Sequence, residues 1–122
     1  MSGPAGDDGG GGTTDGPAAE AGGDSAVPSE DVLDELFATI ESRREELPEG
    51  SYTASLFTHE KGENAVLEKI GEETTEAILA AKDDDREELT AESADLVYHL
   101  LVLFAMKDLA VDDLRSELRD RF

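Results

Sequence analysis

The segment LVYHLLVLFAM, Leu96 to Met106, would place apolar side chains on every side of a helix, interrupted only by His99 and the Tyr98 hydroxyl. A helix that is apolar all round is buried on several sides, so this segment forms the centre of whatever the chain builds. Its longest unbroken apolar stretch, LLVLFAM at 100–106, is too short for a bilayer crossing, which needs about 20 residues. The expectation is a soluble, intracellular chain with no membrane partner. Glu92 and Asp95 lead into this helix on one face, three residues apart. An unpaired ionised carboxylate is costly there, so something positive should meet Asp95.

The remaining elements are also helical. Ser29 after Pro28 is a candidate N-cap, with Glu30 and Asp31 in the first turn where the helix dipole favours negative charge. Val32, Leu33, Leu36, Phe37 and Ile40 then recur at helical spacing, and Pro48 and Gly50 end the segment. SYTASLF at 51–57 reads as a structured connection of about one helical turn. A helix over 63–82 would bury Val66, Leu67, Ile70, Ala77, Ile78 and Ala81. Gly71 within it costs about 1 kcal/mol relative to Ala and suggests close approach by a ligand or another backbone. Asp83 to Asp85 form a turn, with Asp85 and Glu88 as a capping box for a helix over 86–107. A last helix over 111–121 shows Val111, Leu114, Leu118 and Phe122 on one side. No alternating strand pattern appears, so the fold class is all-α. Four helices, one of them apolar all round, leave more apolar surface than one small bundle can cover, which predicts pairing of two chains through the third helix.

Composition sets further bounds. Residues 1–28 hold nine of the twelve glycines and no basic residue, too little apolar surface to offset ordering entropy. They read as a disordered tail before a domain over 29–122, and lack the features of a signal peptide. The domain carries 26 acidic and 10 basic residues, a formal −16 beside −5 in the tail. Such a field repels nucleic acid and anionic membranes. It also suggests an organism with a saline cytoplasm, where an acidic surface stays hydrated. With no cysteine, disulfides, thiolate metal sites and cysteine nucleophiles are excluded.

The most concentrated acidic stretch is EKIGEETTEAILAAK at 68–82. Glu68, Glu72 and Glu76 stack four apart, and each such like-charge pair is unfavourable by roughly 0.2–0.5 kcal/mol. Glu72, Glu73 and Glu76 project within one sector of their helix, at about 100° per residue. A short turn makes the next helix an antiparallel neighbour, so this sector can face Glu92 and Asp95. A cage of hard oxygens suits Mg²⁺, or Mn²⁺, rather than zinc. Glu68 belongs to the general acidic surface. Three of the four lysines, Lys61, Lys69 and Lys82, lie within or beside the acidic helix, and lysine is a compact charge that binds phosphate. A di-iron site would need Glu-x-x-His pairs, whereas Glu76 and Asp95 stand where the histidines would be.

EETTE followed by ESAD resembles the E-E-x-x-E…E-x-x-D signature of the all-α MazG-type nucleotide pyrophosphohydrolases. SYTASLF, EKIGEETTEAILAAK, DREEL and ESADLVYHLLVLFA together resemble, more closely, the phosphoribosyl-ATP pyrophosphatase family of histidine biosynthesis, over almost all of residues 32–122. The resemblance implies a MazG-like four-helix bundle, formed by helices of two chains in a homodimer. It implies Mg²⁺-dependent hydrolysis of phosphoribosyl-ATP to phosphoribosyl-AMP and pyrophosphate in the cytoplasm. Carried over by position, Glu73, Glu76, Glu92 and Asp95 are metal ligands and Glu72 lies beside or among them. Lys61, Lys69 and Lys82 meet phosphate oxygens, and Glu73 and Glu76 are the candidate general bases.

His99, four after Asp95, could orient Asp95 or touch substrate; its apolar neighbours favour a core histidine bonded to a carboxylate. Tyr98 reads as packing and His59 as exposed, while Ser51, Tyr52 and Thr53 could cap a helix or contact ribose or phosphate. Two departures from the family pattern stand out: FTHEKGENAVLEK is unusually acidic, and Ala110 replaces a serine N-cap, which predicts fraying of the last helix. No cyclohydrolase segment accompanies the domain, so the expectation is a stand-alone enzyme. Two other functions compete: a house-cleaning pyrophosphohydrolase of (d)NTPs, and a non-catalytic acidic helical interaction module.

Overall fold

The computed structural model describes residues 31–122; the expected disordered tail and the Ser29 cap lie outside them. Five helices follow one another: α1 (Val32–Glu46), α2 (Tyr52–Phe57), α3 (Glu63–Lys82), α4 (Arg86–Met106) and α5 (Val111–Arg121), with no strand among the described residues. The all-α expectation holds, and the single turn expected near 51–57 is a short helix.

Four of the five helix starts carry a side-chain hydrogen bond at the cap. Asp31, expected inside the first turn, is instead the cap of α1, its side chain accepting from Asp34 N at 2.9 Å. Ser51 caps α2 through Ala54 N at 2.9 Å, and Asp85 caps α4 through Glu88 N at 3.1 Å. Ala110 has no side-chain oxygen to offer α5, but Asp113 Oδ2 accepts from Ala110 N at 2.7 Å. Arg115 adds bonds to Asp31, Asp34 and Asp112. The last helix runs unbroken to Arg121.

The three-residue turn folds α3 and α4 into an antiparallel hairpin, each helix about 30 Å long at 1.5 Å per residue. On one side of α4, Tyr98, Leu101, Val102 and Ala105 meet Leu36 and Ile40 of α1, Leu56 of α2, Val66 of α3 and Val111 of α5 in the core. Arg44 of α1 reaches the end of α4, donating to Ala105 O at 2.6 Å and to Asp108 at 2.9 Å. By length and composition α4 would pass as a membrane span, but Glu92 and His99 are buried within the fold, as befits its central helix.

The buried face of α3 differs from expectation. Ala65, Val66, Glu73 and Ala80 are buried and Ile70 and Ala77 half-buried. Leu67 is 42 % exposed, Ile78 57 % and Leu79 53 %, and Ala81 is exposed too. Helical periodicity identified an apolar stripe wide enough for two contacts, and a single chain covers only one side of it. Gly71, between Leu67 and Ile78 on the uncovered side, is not crowded: a Cβ there would meet nothing within 4 Å. On α5 only Val111 is buried, Leu114 is half-buried, and Leu118 and Phe122 are exposed. Ion pairs of Arg115, rather than an apolar stripe, hold that helix to α1.

Candidate active site

The hairpin brings the two acidic sectors together. Glu73 and Glu76 of α3 face α4, and Glu88, Glu92 and Asp95 follow one face of α4 at spacings of four and three. Carboxylate oxygens of Glu76, Glu88 and Glu92 lie within 4.8 Å of one another. Glu73 and Glu92 are only 2 % and 1 % exposed. Glu73 Oε2 and both oxygens of Glu92 are buried with no hydrogen-bond partner. Leaving a charged carboxylate in that state costs several kcal/mol unless a proton or a cation meets it.

The titration behaviour reflects this crowding. Burial pushes the Glu92 carboxyl up to about 7, helped by the Glu88 carboxyl with which it can share a proton, and by the charges of Glu88, Asp95 and Glu73. When both carboxyls are ionised there is no donor between them, which is why the Glu92 oxygens stand unpartnered. Asp95 is pushed up to about 6, first by burial and then by the charge of Glu73, against opposing pulls from His99 and Lys69. The cation near Asp95 is Lys69, and its pull does not outweigh burial.

Glu88 is the residue that sequence reasoning missed. Its four-residue spacing to Glu92 was the same signal that marked Glu72 and Glu76, but it was assigned to a capping box. Only half of that box forms: Asp85 accepts from Glu88 N, while the Glu88 side chain joins the cluster. Glu72, by contrast, has its side chain 64 % exposed and lies 3.7 Å from Lys69 Nζ. It is at the rim, outside the three-carboxylate group.

The lysines divide in the same way. Lys61 and Lys69 line a pocket of about 150 Å³ with Tyr52, Leu56, His59, Ala65, Glu68 and Glu72. Lys61 Nζ is bonded to Glu68 at 3.0 Å, so Glu68 is a surface partner for a lysine. Lys82 is exposed in the last turn of α3 and is not part of that lining.

His99 is 3 % exposed, with Nδ1 2.8 Å from Glu73 Oε1 and 3.1 Å from the Asp95 carbonyl oxygen. Its Nε2 is 3.1 Å from the Tyr52 hydroxyl. This geometry is that of a core histidine held to a carboxylate. The carboxylate is Glu73 across the hairpin, not Asp95 on its own helix, because the ring reaches sideways from α4 toward α3. Tyr98 is buried, bonded to Thr53 and packed edge-on against His99 at 4.8 Å. SYT thus closes one end of the site: Ser51 as a cap, Tyr52 and Thr53 as anchors onto α4. His59 is exposed as expected.

Residues 33–122 match the family described as phosphoribosyl-ATP pyrophosphohydrolase. The chain is similar to proteins named phosphoribosyl-ATP pyrophosphatase from three organisms. Identity is 76 % over 91 residues with that of Haloarcula marismortui, covering 75 % of this chain and 93 % of the relative. It is 76 % over 92 residues with that of Natronomonas pharaonis, covering 75 % and 91 %. For Haloquadratum walsbyi it is 67 % over 90 residues, covering 74 % and 90 %. The halophilic sources of these relatives fit the saline cytoplasm expected from the acidic composition. With this match spanning every described helix, the chain belongs to the phosphoribosyl-ATP pyrophosphohydrolase family, in the all-α MazG-like superfamily.

Proposed function

We propose that this chain hydrolyses phosphoribosyl-ATP to phosphoribosyl-AMP and pyrophosphate, in the cytoplasm, with Mg²⁺ held between α3 and α4. The observation that carries the metal is the set of three buried carboxylate oxygens, on Glu73 and Glu92, that no donor meets. An all-oxygen donor set suits Mg²⁺, with Mn²⁺ as a substitute. Glu73, Glu76, Glu92 and Asp95 hold the ion, joined by Glu88, with Glu72 at the rim. When bound, the metal offsets phosphate repulsion and stabilises the departing pyrophosphate. Lys61 and Lys69 meet phosphate oxygens at the pocket, and Lys82 serves the far end of the same helix. Glu73 or Glu76 takes the proton of the attacking water.

The assembly is a homodimer. Leu67, Ile78, Leu79 and Val97, each more than 40 % exposed, leave one side of the hairpin uncovered, and a second copy supplies the helices that complete a four-helix bundle. A monomer mass by light scattering at working concentration would sink this part.

Pyrophosphate release from phosphoribosyl-ATP, with and without Mg²⁺ and beside a panel of dNTPs, tests the reading. Mg²⁺-dependent turnover with preference for phosphoribosyl-ATP is expected. Preference for a dNTP would replace it with the house-cleaning activity. Absence of any hydrolysis would leave the acidic interaction module.

A further inference from the structure

We propose that Tyr52 is a positioning residue, whose hydroxyl fixes His99 in the tautomer that aims the free oxygen of Glu73 into the carboxylate cluster. The inference deepens the reading above and rests on Glu73 being a metal ligand.

The geometry runs through three side chains on three helices: Tyr52 of α2, His99 of α4 and Glu73 of α3. Nδ1 of His99 faces two oxygens, Glu73 Oε1 at 2.8 Å and the Asp95 carbonyl at 3.1 Å. A backbone carbonyl can only accept, so the proton sits on Nδ1. In the other tautomer the Nδ1 lone pair would face both oxygens, with nothing to hold Glu73. In the neutral ring Nε2 then accepts, with the Tyr52 hydroxyl at 3.1 Å as its donor. With Oε1 bound in this way, Oε2 is the oxygen left buried and unpartnered.

The arrangement is pre-set by packing. Tyr52 stands nearly perpendicular to the His99 ring, at 88° and 6.1 Å between centroids, and stacks on Tyr98 at 6.3 Å. Thr53, the next residue, bonds the Tyr98 hydroxyl, so α2 cannot shift without breaking both anchors. Tyr52 also lines the pocket with Lys61 and Lys69. Hydrogen-bond partners behind a metal ligand set its orientation and typically contribute 10–100-fold in metal affinity or activity.

Tyr52→Phe keeps the ring and its packing and removes only the hydroxyl. Ring-nitrogen NMR on the metal-free chain, with His59→Gln to assign the two histidines, should show His99 protonated at Nδ1 and bare at Nε2. In Tyr52→Phe that signal should shift toward a mixture of tautomers, and Mn²⁺ should bind about tenfold more weakly, with the metal-free melting temperature little changed. A wild-type ring protonated at Nε2 overturns the inference. So does a Tyr52→Phe chain that binds Mn²⁺ as tightly as wild type, which would leave the metal reading standing. If the wild-type chain takes up no Mn²⁺ at all, the metal reading falls and this inference with it.

Discussion

Carboxylates converge at two places in this molecule, with opposite electrostatic outcomes. Asp31, Asp34 and Asp112 surround the Arg115 guanidinium at 2.6, 2.9 and 2.8 Å. Carboxylate oxygens of Glu76, Glu88 and Glu92 lie within 4.8 Å of one another, with no guanidinium bonded to any of them. At the first site the hydrogen bond from Asp34 N and the guanidinium hold the Asp31 carboxyl below its ordinary value. At the second, burial and like charge push Glu92 up to about 7. The first cluster is offset in part by the protein's own guanidinium and fastens α1 to α5. The second is left for a proton or a cation to neutralise, which is what a metal site requires of the apo chain.

Glu92→Gln should separate the two most sharply. Without one of its charged oxygens the metal cage should fail, and Mg²⁺-dependent turnover should fall by about 100-fold or more, beyond what partners behind a ligand typically contribute. The metal-free chain should move the other way, melting about 4–8 °C higher for a gain of about 1 kcal/mol, since a buried unpartnered charge is gone. If metal-free Glu92→Gln melts lower than wild type, the cluster is structural and the contrast with Arg115 collapses.

The pH profile of metal-free stability comes next. Glu92 and Asp95 have folded values raised to about 7 and about 6 from ordinary values of 4.5 and 3.8. A carboxyl whose folded value is raised favours the fold fully below its unfolded value and loses that contribution as pH rises through the folded one. Metal-free stability should therefore drop between about pH 4 and pH 7, by about 1–2 kcal/mol after solvent screening, and the melting temperature with it. Saturating Mg²⁺ should flatten the curve, and Glu92→Gln should remove much of it. A metal-free curve that rises over this window would contradict the crowding described here.

Arg115→Met should have the smallest effect and the simplest one. Three carboxylates lose their shared partner, and the melting temperature should fall by a few degrees. Mg²⁺-dependent turnover should stay within about twofold of wild type. Molar salt should shrink the loss, because these charges are partly exposed and screened. A loss that is indifferent to salt would mean that Arg115 acts through packing of its stem.

The difference between the two clusters bears on what could be read in advance. The α3–α4 site was legible because its carboxylates recur at helical spacing at the entry to an apolar run, and both signals are local. Glu88 escaped because one spacing fitted two local roles, and only the hairpin decided which oxygen went where. The local signal at Arg115 was Asp112, three residues before it; its partners Asp31 and Asp34 lie more than eighty residues away in the chain.

From the sequence alone came the all-α class, the extents of α3, α4 and α5 to within a residue, and the acidic sectors facing one another. These follow from periodicity, caps and a three-residue turn, all set by neighbours in the chain. Tertiary structure alone decided that His99 holds Glu73 instead of Asp95 and that Tyr52 stands behind it. It also decided that Leu67 and Ile78 stay uncovered within one chain. Those outcomes depend on which faces of separate helices meet, and periodicity gives the angle of a side chain around its own axis but not the neighbour it will find.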